Sequence, residues 1–146
     1  MTTDQRFVEA CKKAAELRPD LFKWEEFPSK GIRRADNQEV QLVDIRFSMN
    51  GVILMRYGKI NGEPFQSNTT QDDIDSMAAA LGWEYEISRH IPDEPMERLH
   101  VGGWVYGFRE IAEIRQHLGL MEYPDKLTAA KEAFIAIVEQ IEKHSP

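Results

Sequence analysis

The sequence is most constrained by a β-rich stretch, residues 40–67, that two Asn-Gly pairs interrupt. Asn-Gly fits the positive φ values of a type I′ turn, so Asn50-Gly51 and Asn61-Gly62 predict two tight hairpins. Three consecutive antiparallel strands joined in this way form a meander. We therefore expect the centre of the chain to fold as an antiparallel sheet.

A two-residue turn at the first Asn-Gly pair also predicts a register. It places Phe47 opposite Leu54 and Ile45 opposite Arg56 on one largely apolar face. The reverse face then carries a mixed set of side chains suited to partial exposure, among which the candidates for binding are Arg46, Tyr57 and Lys59.

Helical spacing of apolar residues predicts four further elements outside the meander. Two are amphipathic helices over residues 3–18 and 70–81. Thr3 or Asp4 is expected to cap the first helix, which ends at Arg18-Pro19 and places Cys11 on its apolar face as a buried, inert thiol. Thr70 and Asp73 predict a capping box at the start of the second. A third, short helix over residues 109–119 would turn Ile111, Ile114 and Leu118 inward. The fourth is a long helix that Pro124 opens and that runs towards the C-terminus.

Two alternating runs, residues 83–90 and 98–108, predict a second hairpin. The fold class that follows is α+β, with an antiparallel sheet of about five strands built from the meander 40–67 and the hairpin 83–108. Three or four helices pack mainly on one face of this sheet. With no repeat or linker in the sequence, residues 1–146 are expected to form a single α+β domain.

The charge balance narrows the class of partner. The chain has 25 acidic and 18 basic side chains and a net charge of −7. This charge disfavours nucleic-acid binding, which depends on Lys and Arg contacts to phosphate. It suits a basic protein partner or an inhibitor that occupies a nucleic-acid groove, although it equally serves to keep a small protein soluble.

The cellular compartment is indicated by two kinds of segment that the sequence lacks. There is no apolar run near the roughly 18 residues that a membrane span needs, and the N-terminus has no hydrophobic signal core. The single cysteine excludes an intramolecular disulfide and fits a reducing compartment. We expect a cytoplasmic protein with no membrane partner.

No established catalytic motif is present, so the sequence predicts no catalytic residue, no metal ligand and no cofactor. The alternative is a pair of histidines, His90 and His100, which flank an acidic loop, residues 93–97. Two imidazoles and a carboxylate are able to hold zinc or share acid–base work, but the spacing matches no known metal motif. A structural or surface role for the pair is the competing interpretation.

One surface of the second hairpin is the main candidate for binding. Its residues are of types enriched at protein interfaces, large aromatics and Arg; they are Ser88, His90, Arg98, His100, Trp104 and Tyr106. Three interpretations remain: helices cover this face, a protein binds it, or a nucleotide-like anion is clamped by Arg46, Tyr57, His100 and Trp104.

The functional expectation is a small acidic cytoplasmic protein that blocks or sequesters a macromolecular partner, of the inhibitor, immunity or phage accessory type. The second hypothesis is a small-ligand binder that captures a nucleotide-like anion. The third is a metal-dependent hydrolase that uses His90 and His100. A homodimer joined through the second hairpin is a further hypothesis.

Overall fold

The computed structural model describes residues 2–26, 31–32, 39–48, 50–60, 63–67, 69–89, 103–119 and 121–144. Within these residues the chain is α+β, with three α-helices and two antiparallel sheets. The elements in order are α1 Thr3–Leu17, β1 Phe22–Glu26, β2 Gly31–Ile32, β3 Glu39–Phe47, β4 Ile53–Ile60, β5 Glu63–Ser67, α2 Gln71–Ala80, β6 Trp83–Arg89, β7 Trp104–Glu110, β8 His117–Leu118 and α3 Lys126–Lys143.

The chain divides into two compact units, residues 1–73 and 74–146, and each unit holds one sheet. The prediction of an α+β fold with antiparallel strands is confirmed. The prediction of one sheet that joins the meander to the second hairpin is wrong, because β6 and β7 pair with each other and with β8 in a sheet of their own.

In the first unit, the sheet has the order β1-β3-β4-β5, and β2 also pairs with β3. Helix α1 packs against β1 and β3 and buries Phe7 and Cys11 completely. Its capping box joins Thr2 to Gln5, so the cap lies one residue before the position expected from the sequence. The helix ends before Pro19 as predicted, since the residue that precedes a proline avoids the α conformation.

The first Asn-Gly turn is present, but it is longer than predicted. Gly51 has a φ of +72°, and Val52 N donates to Asn50 Oδ1 at 3.0 Å. Phe47 N donates to Val52 O at 3.0 Å, so the strands meet at these two residues and the reversal is longer than Asn50 and Gly51 alone. At the second reversal Ile60 lies opposite Glu63, and the Asn61-Gly62 turn itself falls outside the described residues.

The longer loop slips the register of β3 and β4 relative to the prediction. Ile45 lies opposite Met55 and Asp44 lies opposite Arg56, with a bulge between Ile45 and Arg46. The predicted pairing of Ile45 with Arg56 is therefore wrong. Because side chains alternate between faces along a strand, the slip moves Arg56 to the face that carries Asp44.

The second unit is built on the β6–β7 hairpin. Gly82, with a φ of +85°, follows α2, and the strands then pair from Trp83 with Glu110 to Arg89 with Trp104. Helix α3 packs against both strands. The core cluster of this unit consists of Ala78, Trp83, Phe108 and Ile137.

Side-chain caps begin both α2 and α3, but only the cap of α2 is the predicted one. At α2, Asp73 N donates to Thr70 Oγ1 at 3.2 Å, which is the expected capping box. At α3, the Asp125 carboxylate accepts from Thr128 N at 2.7 Å, so Asp125 caps the helix and Pro124 precedes it. No described helix is both long and apolar enough to cross a bilayer.

The predicted helix over residues 109–119 is wrong. Arg109 and Glu110 belong to β7, residues 117–118 form β8, and the chain between them forms turns. Gly119 N donates to Tyr106 O at 2.9 Å. Backbone groups that would form hydrogen bonds within a helix therefore form them with β7 instead. The apolar side chains predicted to point inward are instead exposed.

A groove on the uncovered face of the second sheet

The two faces of the β6–β7 hairpin differ in what covers them. The pairs Tyr85–Phe108 and Ile87–Tyr106 lie on one face, and the aromatic residues of this face pack with Ile137 of α3. The reverse face carries Glu86 opposite Gly107 and Ser88 opposite Val105. The functional candidate lies on this reverse face, which we call the uncovered face.

A groove of about 580 Å³ lies on the uncovered face, and we call it the sheet groove. Its floor comes from β6 and β7, and its wall comes from the segment that contains β8. The lining residues are Glu86, Ser88, Val105, Tyr106, Gly107, Gln116, Leu118, Gly119 and Glu122. Its volume lies within the range that binding sites for small molecules or short peptide segments occupy.

Gly107 gives the groove its depth. A Cβ atom at this position would lie 2.5 Å from Gln116 Nε2 and 3.2 Å from Leu118 Cδ2. Since glycine has no side chain, the side chains of Gln116 and Leu118 lie close to β7 without a clash. Packing is equally tight at Gly119, where a Cβ would lie 2.6 Å from the Tyr106 ring.

The polar groups of the sheet groove are acidic or neutral. Glu86 and Glu122 supply carboxylates, while Ser88 and Gln116 supply a hydroxyl and an amide. Glu122 Oε2 accepts from Gly103 N at 3.2 Å, which fixes one carboxylate at the end of the groove. Among the described residues that line the groove there is no Lys or Arg, so this lining favours a cationic ligand.

Neighbouring acids on the same face are used differently. Glu84 is paired with Arg109, whose Nε donates to Glu84 Oε1. Arg109 also donates to Glu113 O at 3.3 Å. Glu86, one step further along β6, is exposed and has no ion pair within the described part of the chain. Glu86 is thus the carboxylate that remains available to a ligand.

Exposed apolar side chains are frequent in the part of the chain around β8, and we call them the apolar rim. Ile111 is 52% exposed, Ile114 94%, Leu118 70% and Met121 65%. Leu118 also lines the sheet groove. Single exposed apolar residues are common, but several in a segment that also lines a groove are typical of a binding surface.

The structure separates the residues predicted for the second hairpin. Trp104 lies opposite Arg89 and Tyr106 opposite Ile87, so both aromatic side chains belong to the α3 face, whereas Ser88 belongs to the uncovered face. Tyr106 also borders the sheet groove, but the predicted grouping of Ser88 with Trp104 and Tyr106 on one face is wrong. The side chains of each strand alternate as predicted, but the register between β6 and β7 determines which side chains of the two strands share a face.

Trp104 and Tyr106 already have partners within the chain. Lys126 Nζ lies 4.8 Å from the centroid of the Trp104 ring, and Arg89 Cζ lies 5.7 Å from it. The Tyr106 ring stacks on Tyr123 at a centroid distance of 6.1 Å. Both predicted binding residues are half-buried, and these contacts give them a packing role.

The predicted residues of the meander lie in the first unit. Arg46 Nη2 donates to Asp44 Oδ2 at 3.0 Å, and Arg46 Nε lies 3.4 Å from Glu25 Oε2. Tyr57 and Lys59 are positions of β4, where their backbones pair with Val43 and Gln41. The remaining predicted site residues, His90, Arg98 and His100, lie outside the described residues.

Two arginines enclose a buried carboxylate here, in what we call the Asp44 cluster. Arg56 Nε and Nη2 donate to Asp44 at 2.8 and 2.9 Å, and Asp44 is fully buried. Hydrogen bonding to Asp44 raises the pKa of the Arg56 guanidinium above its ordinary value. Charges satisfied in this way hold the sheet together and are not available to a ligand.

The described residues contain no group of three His, Cys, Asp or Glu side chains able to hold a metal ion. The proposed pair His90 and His100 lies outside that part of the chain, so its role stays a hypothesis. Cys11 is buried, as its position on the apolar face of α1 predicts.

Sequence reasoning missed the wall of the sheet groove, namely Gln116, Leu118 and Glu122. The glycine at position 107 was the available signal, because a glycine within a strand often marks a close approach of another segment. No known protein family matches this chain, and neither a curated protein nor a solved structure does. The function is therefore inferred from the residues of the chain.

Proposed function

We propose that the protein binds a basic, partly apolar segment of a protein partner in the sheet groove, and thereby blocks or sequesters that partner. The observation that carries this proposal is that the segment holding the exposed apolar rim contributes Leu118 to a groove whose described lining has two carboxylates and no Lys or Arg. The protein acts in this proposal as a cytoplasmic binding protein and not as an enzyme.

The apolar rim supplies the binding energy. Burying one large apolar side chain contributes about 1.5–3 kcal/mol. Leu118 and Ile114 are 70% and 94% exposed, so most of that contribution is still available to a partner. Several such side chains are needed, because association also costs translational, rotational and side-chain freedom.

The carboxylates supply selectivity for the partner. Glu86 has no ion pair within the described residues and accepts a Lys or Arg side chain from the bound segment. The net charge of −7 attracts a basic partner at long range and raises the rate of association. Both effects weaken as salt screens the charges.

Affinity capture from the native host, followed by mass spectrometry, identifies the partner, and calorimetry with the purified partner measures its affinity. We expect a basic protein whose affinity falls at least about tenfold, or about 1.4 kcal/mol, with Leu118→Ser and with Glu86→Lys. Val52→Ser and Glu139→Lys are the matched controls, because they alter an exposed apolar residue and an exposed acid outside the groove.

The outcomes distinguish this proposal from its alternatives. Equal losses in the groove variants and in the matched controls would assign the effect to overall charge or hydrophobicity and would contradict the proposal. Capture of an acidic protein whose binding is insensitive to Glu86→Lys would also contradict it. Capture of a second copy of this chain alone would point to a homodimer instead.

A further inference from the structure

A second concave site lies in the first unit, between α1 and β1. It has a volume of about 420 Å³, and we call it the α1 slot. Its apolar surface comes from Ala15, Phe22 and Trp24, and two lysines, Lys12 and Lys23, lie at its border. None of these residues belongs to the sheet groove or to the Asp44 cluster.

The walls of the slot are held in place by hydrogen bonds. Ser48 N donates to Leu21 O at 2.9 Å, and Ser48 Oγ donates to Pro19 O at 3.1 Å. Trp24 Nε1 donates to Glu26 Oε1 at 3.2 Å, which orients the indole. A site whose walls are fixed before binding pays less of the ordering cost when a ligand enters.

The charge of the slot is opposite to that of the whole protein. Lys12 and Lys23 are exposed and have no ion pair within the described ranges of the chain. Glu16, the acid of the lining, is paired with Lys13 at 3.6 Å. The two lysines are therefore not neutralised, although the chain as a whole carries a net charge of −7.

We propose that the α1 slot binds a small planar organic anion, an aromatic ring system that carries a carboxylate, sulfonate or phosphate group. The ring packs against Trp24 and Ala15, where aromatic and aliphatic surface is offered. The anionic group faces the ammonium groups of Lys12 and Lys23. Binding pockets of this kind combine a mostly apolar lining with a few polar groups that fix orientation.

The test uses naphthalene-2-sulfonate as the probe and 2-naphthol as its uncharged counterpart. Binding is followed through the indole N–H resonance of Trp24 in a nitrogen–proton correlation spectrum. The chain has three Trp residues, so Trp24→Phe assigns the resonance by its disappearance. We expect the sulfonate to shift this resonance, and to bind at least about tenfold more tightly than 2-naphthol.

Removing the lysines measures their part in binding. Because single contacts with exposed charges are weak, Lys12→Gln and Lys23→Gln should each raise the Kd of the sulfonate by about threefold at low salt. The double variant should raise it by about tenfold if the two effects add. Lys143→Gln is the matched control, since it removes the same charge from an exposed position of α3 that does not line the slot and should not raise the Kd.

Three results would overturn the proposal. One is the absence of any shift at Trp24, and another is equal affinity for the sulfonate and for 2-naphthol. The third is an equal rise in Kd for Lys143→Gln and Lys12→Gln, which would show that the probe responds to overall charge. All three lysine variants alter exposed side chains, so we expect them to fold.

Discussion

Each of the two sheets has a carboxylate within a strand, but the two carboxylates are used differently. In the first sheet Asp44 is fully buried and receives three hydrogen bonds from Arg46 and Arg56. In the second sheet Glu86 is exposed at the edge of a groove. One face is closed by its own ion pairs, and the other is available to a partner.

The difference follows from burial. A buried carboxylate has lost its hydration and must be paired within the protein. Glu25 lies directly opposite Asp44, which would be unfavourable between two acids alone. Arg46 contacts both carboxylates and removes this conflict. Charged residues in a sheet therefore indicate a binding surface only where the chain itself leaves them unpaired.

The largest expected effect comes from removing the buried acid. Asp44→Ala leaves Arg46 and Arg56 without their central partner, and we expect it to lower the free energy of unfolding by about 3–5 kcal/mol. Glu86→Ala should change it by less than about 0.5 kcal/mol, because it alters an exposed residue. Urea denaturation of both variants measures the difference.

The comparison fails if the two variants lose similar stability. A mild Asp44→Ala would mean that the two arginines reach water or other acids without cost. A strongly destabilising Glu86→Ala would mean that the sheet groove is held together by this carboxylate, which would remove it from the proposed binding surface.

Two glycines of the second unit sharpen the contrast between its faces. A Cβ at Gly119 would lie 2.6 Å from the Tyr106 ring, and that ring is held by stacking on Tyr123 and Phe108. We expect Gly119→Ala to cost about 1–3 kcal/mol, since neither the ring nor the backbone gives way easily. Thermal and urea denaturation measure this loss.

At Gly107 the same substitution should act on binding. A Cβ there would meet the ends of the Gln116 and Leu118 side chains, which move at little cost. Gly107→Ala should therefore lower the free energy of unfolding by less than Gly119→Ala does. The added methyl group should make the sheet groove shallower and so weaken binding of the partner. A Gly107→Ala variant with unchanged capture would place the partner elsewhere.

Local signals in the sequence predict much of the fold. The Thr70–Asp73 capping box locates α2, and the strand alternation locates β6. These signals succeed because a few neighbouring residues determine a cap or a strand period. The first Asn-Gly pair likewise locates a reversal, with Gly51 in the expected left-handed region.

The remaining features depend on contacts between distant residues. The reversal around Asn50 is longer than a two-residue turn because the strands pair in a register that the sequence alone does not determine. The segment 109–119 has helical spacing, yet it pairs with β7 through Gly119 and Leu118. Since this segment lines the sheet groove, most of the candidate site could not be predicted from the sequence.

A smaller effect tests whether the turn or the Asp44 cluster sets the register of the first sheet. Gly51 has a φ of +72°, where an L-residue with a Cβ is strained, so Gly51→Ala should cost about 1 kcal/mol. Gly51→Asn is the control and should cost less, because Asn tolerates this region. Urea denaturation measures both.

The outcome has a consequence for the comparison of the two sheets. If Gly51→Ala costs nothing, the loop tolerates another conformation, and pairing of Asp44 with Arg56 holds the register. If it costs as much as Asp44→Ala, the turn dominates, and the ion pairs of the first sheet are less important than their burial suggests.

The smallest effect concerns an ion pair with geometry similar to that of the Asp44 cluster but without burial. Arg18 Nη2 lies 2.8 Å from Asp20 Oδ2, and both side chains are largely exposed. The hydrogen bond from Arg18 lowers the pKa of Asp20 below its ordinary value. The pair therefore stabilises the fold above the ordinary pKa of an aspartate, and this contribution is lost as the pH falls through the lowered value.

Arg18→Gln should raise the pKa of Asp20 towards its ordinary value, as a carboxyl titration by NMR would show, and it should leave the urea midpoint at neutral pH almost unchanged. Water and salt screen an exposed pair, so a similar distance has far less effect here than at Asp44. A loss of stability comparable to that of Asp44→Ala would contradict this conclusion, because it would show that distance and not burial determines the contribution of an ion pair in this protein.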